Sequence, residues 1–270
     1  MLERGLSTTG LVRRLLKRGV VGFTVLTGQV MHAAHRRDLP SFQNQDPSAD
    51  LGNPANPRLR IVLMGDSSMT APGVYPLDLC WPRRLAHDLT DRYFVELRSV
   101  AIGGSKAADI LRDQIEAALA FEPHMVLISV GANDALRAVP VASYERDLGE
   151  IVRRLSADVE AIGLSGIGDL GSLPRLPEIP RAWARVRGRS FNRALQRVAH
   201  RYGAPKSETW GPIWRPFSEG DLRVFADDRF HASAEGHAIF AMAMRPVVEA
   251  LVEKLEPLLS AQRGSRESST

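Results

Sequence analysis

A serine, an imidazole and a carboxylate stand in this chain where they can be brought to one point. Ser67 ends the stretch Arg60-Ile-Val-Leu-Met-Gly-Asp-Ser-Ser68, an apolar run that stops at Gly65-Asp66. A serine hydroxyl is a weak nucleophile at its own pKa, so it needs a base, a group that orients the base, and donors for the charge that develops on the attacked group. Ala226-Asp-Asp-Arg-Phe-His231 supplies a carboxylate and an imidazole three residues apart. Histidine is the usual base for a serine, and a nearby acid holds its tautomer and stabilises the imidazolium. Asn133, in Val130-Gly-Ala-Asn-Asp134, offers a side-chain amide as an oxyanion donor. Gly104, in Val100-Ala-Ile-Gly-Gly-Ser-Lys106, lets a backbone N–H approach the same point without a Cβ in the way.

These residues need a frame, and the chain has the pattern of one. Short apolar runs at Arg60–Met64, Tyr93–Val100, His124–Val130 and Asp158–Leu164, with a weaker one near Pro205–Glu208, read as strands. Helical patterns fall between and after them, at Trp81–Thr90, Ala107–Phe121, Tyr144–Leu155, Arg181–Tyr202 and Ala234–Leu255. The alternation predicts an α/β fold, a parallel sheet with helices on both faces. In such sheets ligands bind just past the carboxyl ends of the strands, which is where Ser67, Gly104 and Asn133 stand.

With those blocks in place, the chain resembles the GDSL, or SGNH, hydrolases. Gly65-Asp66-Ser67-Ser68, Gly104 within Ala101–Asp109, Gly131-Ala-Asn-Asp134 and Asp228-Arg-Phe-His231 occur in the family's order. The resemblance spans about residues 58 to 257; Ser68 stands where the family name carries leucine. It implies a three-layer α/β/α sandwich on a five-stranded parallel sheet. It also implies that Ser67 attacks an acyl carbonyl, with His231 as general base and Asp228 orienting it. The oxyanion would sit among the Ser67 N–H, the Gly104 N–H and the Asn133 side chain. Asp227 adjoins Asp228, but only Asp228 fits the Asp-x-x-His spacing. Ser68 and Ser105 read as turn or capping residues, Asp134 as a turn residue or helix N-terminal charge, and His87, His124, His200 and His237 as surface or packing residues. The leading expectation is a serine carboxylic-ester hydrolase. An acyltransferase or carbohydrate deacetylase of the same fold is the alternative within enzymes, and a catalytically silent membrane-associated binding protein is the alternative outside them.

Other motifs fail on context. Gly166-Ile-Gly-Asp-Leu-Gly171 matches a dinucleotide fingerprint, but Pro174, Pro177 and Pro180 follow where a helix should open, so an extended loop is expected. There is no G-x-S-x-G elbow, no S-x-x-K, no H-E-x-x-H and no acidic metal cluster, and neither metal nor cofactor is proposed. Cys80 is the only cysteine, which excludes an intrachain disulfide. The expected partner is a small-molecule, lipid or carbohydrate acyl ester. Trp210, Trp214 and Phe217, in a Pro- and aromatic-rich loop before Asp228, are candidates to line an acyl groove or stack on a sugar.

The 270 residues carry a net charge of +4, concentrated at the front: residues 1–37 hold seven basic residues against Glu3 alone. That points to an anionic membrane surface or a solvated arm rather than nucleic acid. The uncharged run of residues 19–35, flanked by basic residues, reads as a weak anchor, a soluble helix or, less favourably, a cleaved signal. Localisation is thus open between membrane-associated and cytoplasmic. The division expected is an arm with a Pro-rich linker over 1–57, a hydrolase domain over 58–260 and a polar tail over 261–270. Arg181, Arg185, Arg189, Arg193, Arg197 and Arg201 recur every fourth residue and read as a solvated helix face.

Overall fold

The computed structural model describes residues 38–267, together with Gly28. The arm and its uncharged run lie, Gly28 apart, outside the described residues, and among the described helices none is long and apolar enough to cross a membrane.

Five strands form one sheet: β1 (Ala49–Leu51), β2 (Arg58–Gly65), β3 (Phe94–Ser99), β4 (Met125–Ser129) and β5 (Ala161–Ser165), in spatial order β1-β3-β2-β4-β5. β3, β2, β4 and β5 run parallel to one another. The sheet is mixed, because β1 pairs antiparallel with β3. This corrects the all-parallel expectation. The fifth strand comes from the stretch read as linker, while Pro205–Glu208 makes only a single bridge, between Lys206 and Leu164. β1 is too short and polar to show as a periodic run, and it is tied down by its pairing with β3 and by the Arg98–Asp50 ion pair.

The helices are α1 (Ser67–Thr70), α2 (Trp81–His87), α3 (Ala107–Asp113), α4 (Ile115–Leu119), α5 (Ala132–Leu136), α6 (Val141–Leu155), α7 (Glu178–Tyr202), α8 (Arg215–Ser218) and α9 (Ala234–Glu267). They cover both faces of the sheet. Along β2 the side chains alternate: Ile61 and Leu63 pack with Trp81, Leu85, Val248 and Leu251 of α2 and α9. Val62 and Met64 pack with Ile110, Leu148, Ile151 and Phe191 of α3, α6 and α7. A strand buried on both sides must be apolar at every position, which is why Ile61–Met64 reads as an unbroken run. Full burial of each such side chain stabilises the fold by about 1.5–3 kcal/mol.

α9 runs well past Leu255, because Leu259, one turn on, is also buried against the sheet. The arginines of α7 are mostly engaged: Arg185 pairs with Asp169, Arg197 and Arg201 with Glu145, and Arg189 lies over the Trp210 ring.

Candidate active site

At the carboxyl end of β2 the backbone must turn sharply. Gly65 has φ +148°, and a Cβ there would fall 2.1 Å from the Ser129 carbonyl oxygen of β4. Only glycine fits that approach. Its N–H and C=O are both met by one buried side chain: the N–H donates to Gln114 Oε1 and Gln114 Nε2 donates to the carbonyl, each at 2.9 Å. The clamp holds the strand end where β2 runs out of neighbours on that side.

Asp66 then caps α1, its Oδ1 accepting from the Ser68 N–H at 3.0 Å. Ser67 is the first residue of that turn, and its own N–H takes no part in the helix's hydrogen bonds. Asp66 Oδ2 accepts from Asn133 Nδ2 at 3.1 Å. One carboxylate therefore fixes both the turn presenting Ser67 and the amide of Asn133. Burial raises the Asp66 pKa above its ordinary value, against the hydrogen bonds from Ser68 and Asn133 and the nearby His231 that favour its charge.

Asn133 sits in α5, after Gly131 at φ +122°, where a Cβ would strike Ile167 and Tyr144. The next residue, Asp134, reaches across and accepts the Ala107 N–H at the start of α3, 3.1 Å from Oδ2. Burial pushes its pKa up to about 6. The loop carrying Gly104 is thereby held from both ends, since the Ile102 N–H donates to the Gly65 carbonyl at 3.2 Å. Gly104 has φ +83°, and its missing side chain would meet only the Arg137 guanidinium, at 3.4 Å.

The acid and base are held by a turn that closes on itself. Asp228 Oδ1 accepts the N–H groups of Phe230 and His231 at 2.9 and 3.0 Å, while Oδ2 lies 2.6 Å from His231 Nδ1. With Nδ1–H given to Asp228, Nε2 is the basic nitrogen of the ring. Burial works to raise the Asp228 pKa, but the hydrogen bonds and charge of His231 prevail and leave it below its ordinary value. Asp227 is exposed. The loop is anchored from outside by the buried Arg175, whose Nη1 donates to the Asp228 carbonyl at 3.2 Å.

Ser67, Asn133 and His231 border one cavity of about 140 Å³. Trp214 and Phe217 line it too. Trp210 does not: it stands 42% exposed under Arg189, so the expectation that it lines the site is corrected. Gly104 lies off the cavity wall, beside Arg137. Of the fingerprint-like run, Gly166 and Gly168 line the cavity in an irregular segment, and α7 begins only at Glu178.

The parts played by Asp66, Gln114 and His237 escape sequence reading, although His237 is the packing residue expected. Asp66 had a signal, an Asp before a Ser at a strand end. Gln114 had none, being one of several polar residues in the stretch Ala107–Phe121. His237 is buried against the cavity, its Nδ1 accepting the Trp81 N–H at 3.1 Å, and burial pushes its pKa down to about 3.

The sequence model of the GDSL-like Lipase/Acylhydrolase family matches residues 63–239. Among solved structures, TesA aligns with TM-score 0.58 and 21% identity, covering 71% of this chain and 99% of that one. Axe2, an acetylxylan esterase from Geobacillus stearothermophilus, aligns with TM-score 0.56 and 20% identity over 74% of this chain and 96% of its own. The psychrotrophic esterase EstA from Pseudoalteromonas sp. gives TM-score 0.55 and 18% identity over 72% and 98%. At these identities the likeness is one of fold. A search of curated proteins returned no match.

Proposed function

The chain belongs to the GDSL-like Lipase/Acylhydrolase family, and from that premise we propose a serine-dependent carboxylic-ester hydrolase that works through an acyl-enzyme on Ser67. The observation that carries the reading is the 2.6 Å pair of His231 Nδ1 and Asp228 Oδ2 on a cavity that Ser67 also borders. In the proposed cycle His231 Nε2 takes the Ser67 proton as Oγ bonds to the ester carbon. The negative charge on the carbonyl oxygen is met by the N–H groups of Ser67 and Gly104 and by the Asn133 amide. Asn133 has two amide protons, one committed to Asp66 and one left to donate. Collapse breaks the bond to the alcohol, which leaves with the proton from His231. Water, deprotonated by the same nitrogen, then attacks the acyl-enzyme, and the carboxylic acid departs as Ser67 regains its proton.

The test is hydrolysis of p-nitrophenyl butyrate by the wild type, Ser67→Ala and Asp228→Asn. Ser67→Ala should abolish turnover, and Asp228→Asn, which keeps the shape but permits the wrong imidazole tautomer, should lower kcat by about 10⁴. Turnover that survives in a folded Ser67→Ala enzyme overturns the assignment.

A further inference from the structure

The cavity does not end at Ser67 and His231. It continues on the side of β5, away from Gly104, and its far wall is aromatic. Trp214, Phe217 and Phe240 meet one another with ring centroids 5.5–5.8 Å apart. Trp214 and Phe217 are each only 7% exposed, and both line the cavity. Phe240 and Met244 stand one turn apart on α9, and both line it. Gly168 lies beside the Trp214 ring, where an added Cβ would come within 3.8 Å of it.

Its polar members bring little charge. His237 keeps its Nδ1 as an acceptor for the Trp81 N–H, which requires the neutral ring. Asp169 is turned to Arg185, 3.0 Å from its Nε. Ser207 Oγ accepts the Gly166 N–H at 2.9 Å. The whole cavity, from Ser67 and His231 to the aromatic wall, offers an acyl group about 140 Å³. An apolar cavity of about 150 Å³ takes up benzene, a molecule of six carbons.

Resting on the hydrolase reading above, we infer that this hollow is an acyl-chain subsite, which selects esters of straight-chain acids of about four to eight carbons. The acyl group stays on Ser67 through both chemical steps, whereas the alcohol must leave after the first. A walled pocket beside Ser67 suits the group that stays. Acetyl esters would leave the aromatic wall unused, and long chains would have to turn back into solvent.

The experiment measures kcat/KM for p-nitrophenyl esters from acetyl to dodecanoyl. A second series of hexanoate esters varies the alcohol from methyl to octyl. With the wild type, kcat/KM should climb up to about fourfold per methylene, the worth of a buried CH₂, and fall beyond octanoyl. Ala243 also lines the cavity, and Ala243→Leu, which pushes three further carbons into the lining, should lower the hexanoyl-to-acetyl ratio at least tenfold. The ratio is taken within one preparation, so it does not depend on the fraction folded. Ala243→Val serves if the leucine variant yields no protein, with a smaller fall in the same ratio. A flat acyl profile, an unchanged ratio in the variants, or a dependence that follows the alcohol instead overturns the subsite. If no ester is turned over and Ser67 reacts with no acylating probe, the hydrolase reading itself has failed. Turnover without chain-length selection removes the subsite alone.

Discussion

His237 should make this fold acid-sensitive, by an amount that follows from its surroundings. The ring is 2% exposed, accepts a backbone N–H at Nδ1, and lies near His231 and Arg84, all of which oppose a second proton. Its pKa falls to about 3 in the native chain from 6.5 in an open one. Between those values the unfolded chain binds a proton that the native chain refuses, so stability is complete above about pH 6.5 and is lost as pH falls. Each pH unit costs about 1.4 kcal/mol, giving about 2–3 kcal/mol by pH 4.5 and about 4–5 kcal/mol by pH 3. His237→Asn places an amide oxygen where Nδ1 was, keeps an acceptor for Trp81 and removes the titration. Urea unfolding of both proteins at pH 7.5 and 4.5 isolates the effect, because the other titrating groups are common to both. The wild type's stability relative to the variant should fall by about 2–3 kcal/mol on acidification. An unchanged difference would show that His237 titrates alike in both states, and the burial argument would be wrong.

Gln114→Leu leaves the Gly65 N–H without its buried partner and should cost about 2–3 kcal/mol in denaturant unfolding. Gly65→Ala should cost more, since the new Cβ meets backbone 2.1 Å away and cannot be relieved by a rotamer; the expected result is little soluble protein, or a thermal midpoint lowered further than in Gln114→Leu. Asn133→Ala should lower kcat about hundredfold with little change in KM, because the oxyanion contact forms in the transition state; steady-state kinetics on one ester decides it.

The sequence shows what is local or repetitive and hides what depends on distant packing. β2 and β4 announce themselves because their stretches buried on both faces, Ile61–Met64 and Met125–Ile128, are unbroken apolar runs. Asp228 and His231 are legible because the turn joining them is only four residues long. β1 is not, because three residues among prolines, two half-buried and one exposed, acquire their role only from β3. The mistaken strand at 205–208 has the apolar run's neighbours but only Lys206 bridging to β5. Trp210 and Trp214 are indistinguishable in the chain. One is carried into the cavity wall and its indole N–H donates to the Glu208 carbonyl at 2.9 Å, while the other is left outside under Arg189. Gln114 and His237 stand among other polar residues in helical patterns, and only the approach of β2 to one and α2 to the other shows what they hold.

The central claim is that Ser67 is an activated nucleophile. Treatment of the full chain with a fluorophosphonate, followed by intact-mass measurement and peptide mapping, tests it without assuming a substrate. A single adduct on Ser67, absent from Ser67→Ala and formed far more slowly in Asp228→Asn, is the predicted result. A folded wild type that takes up no adduct, or takes it up on Ser68 or another serine, would contradict it.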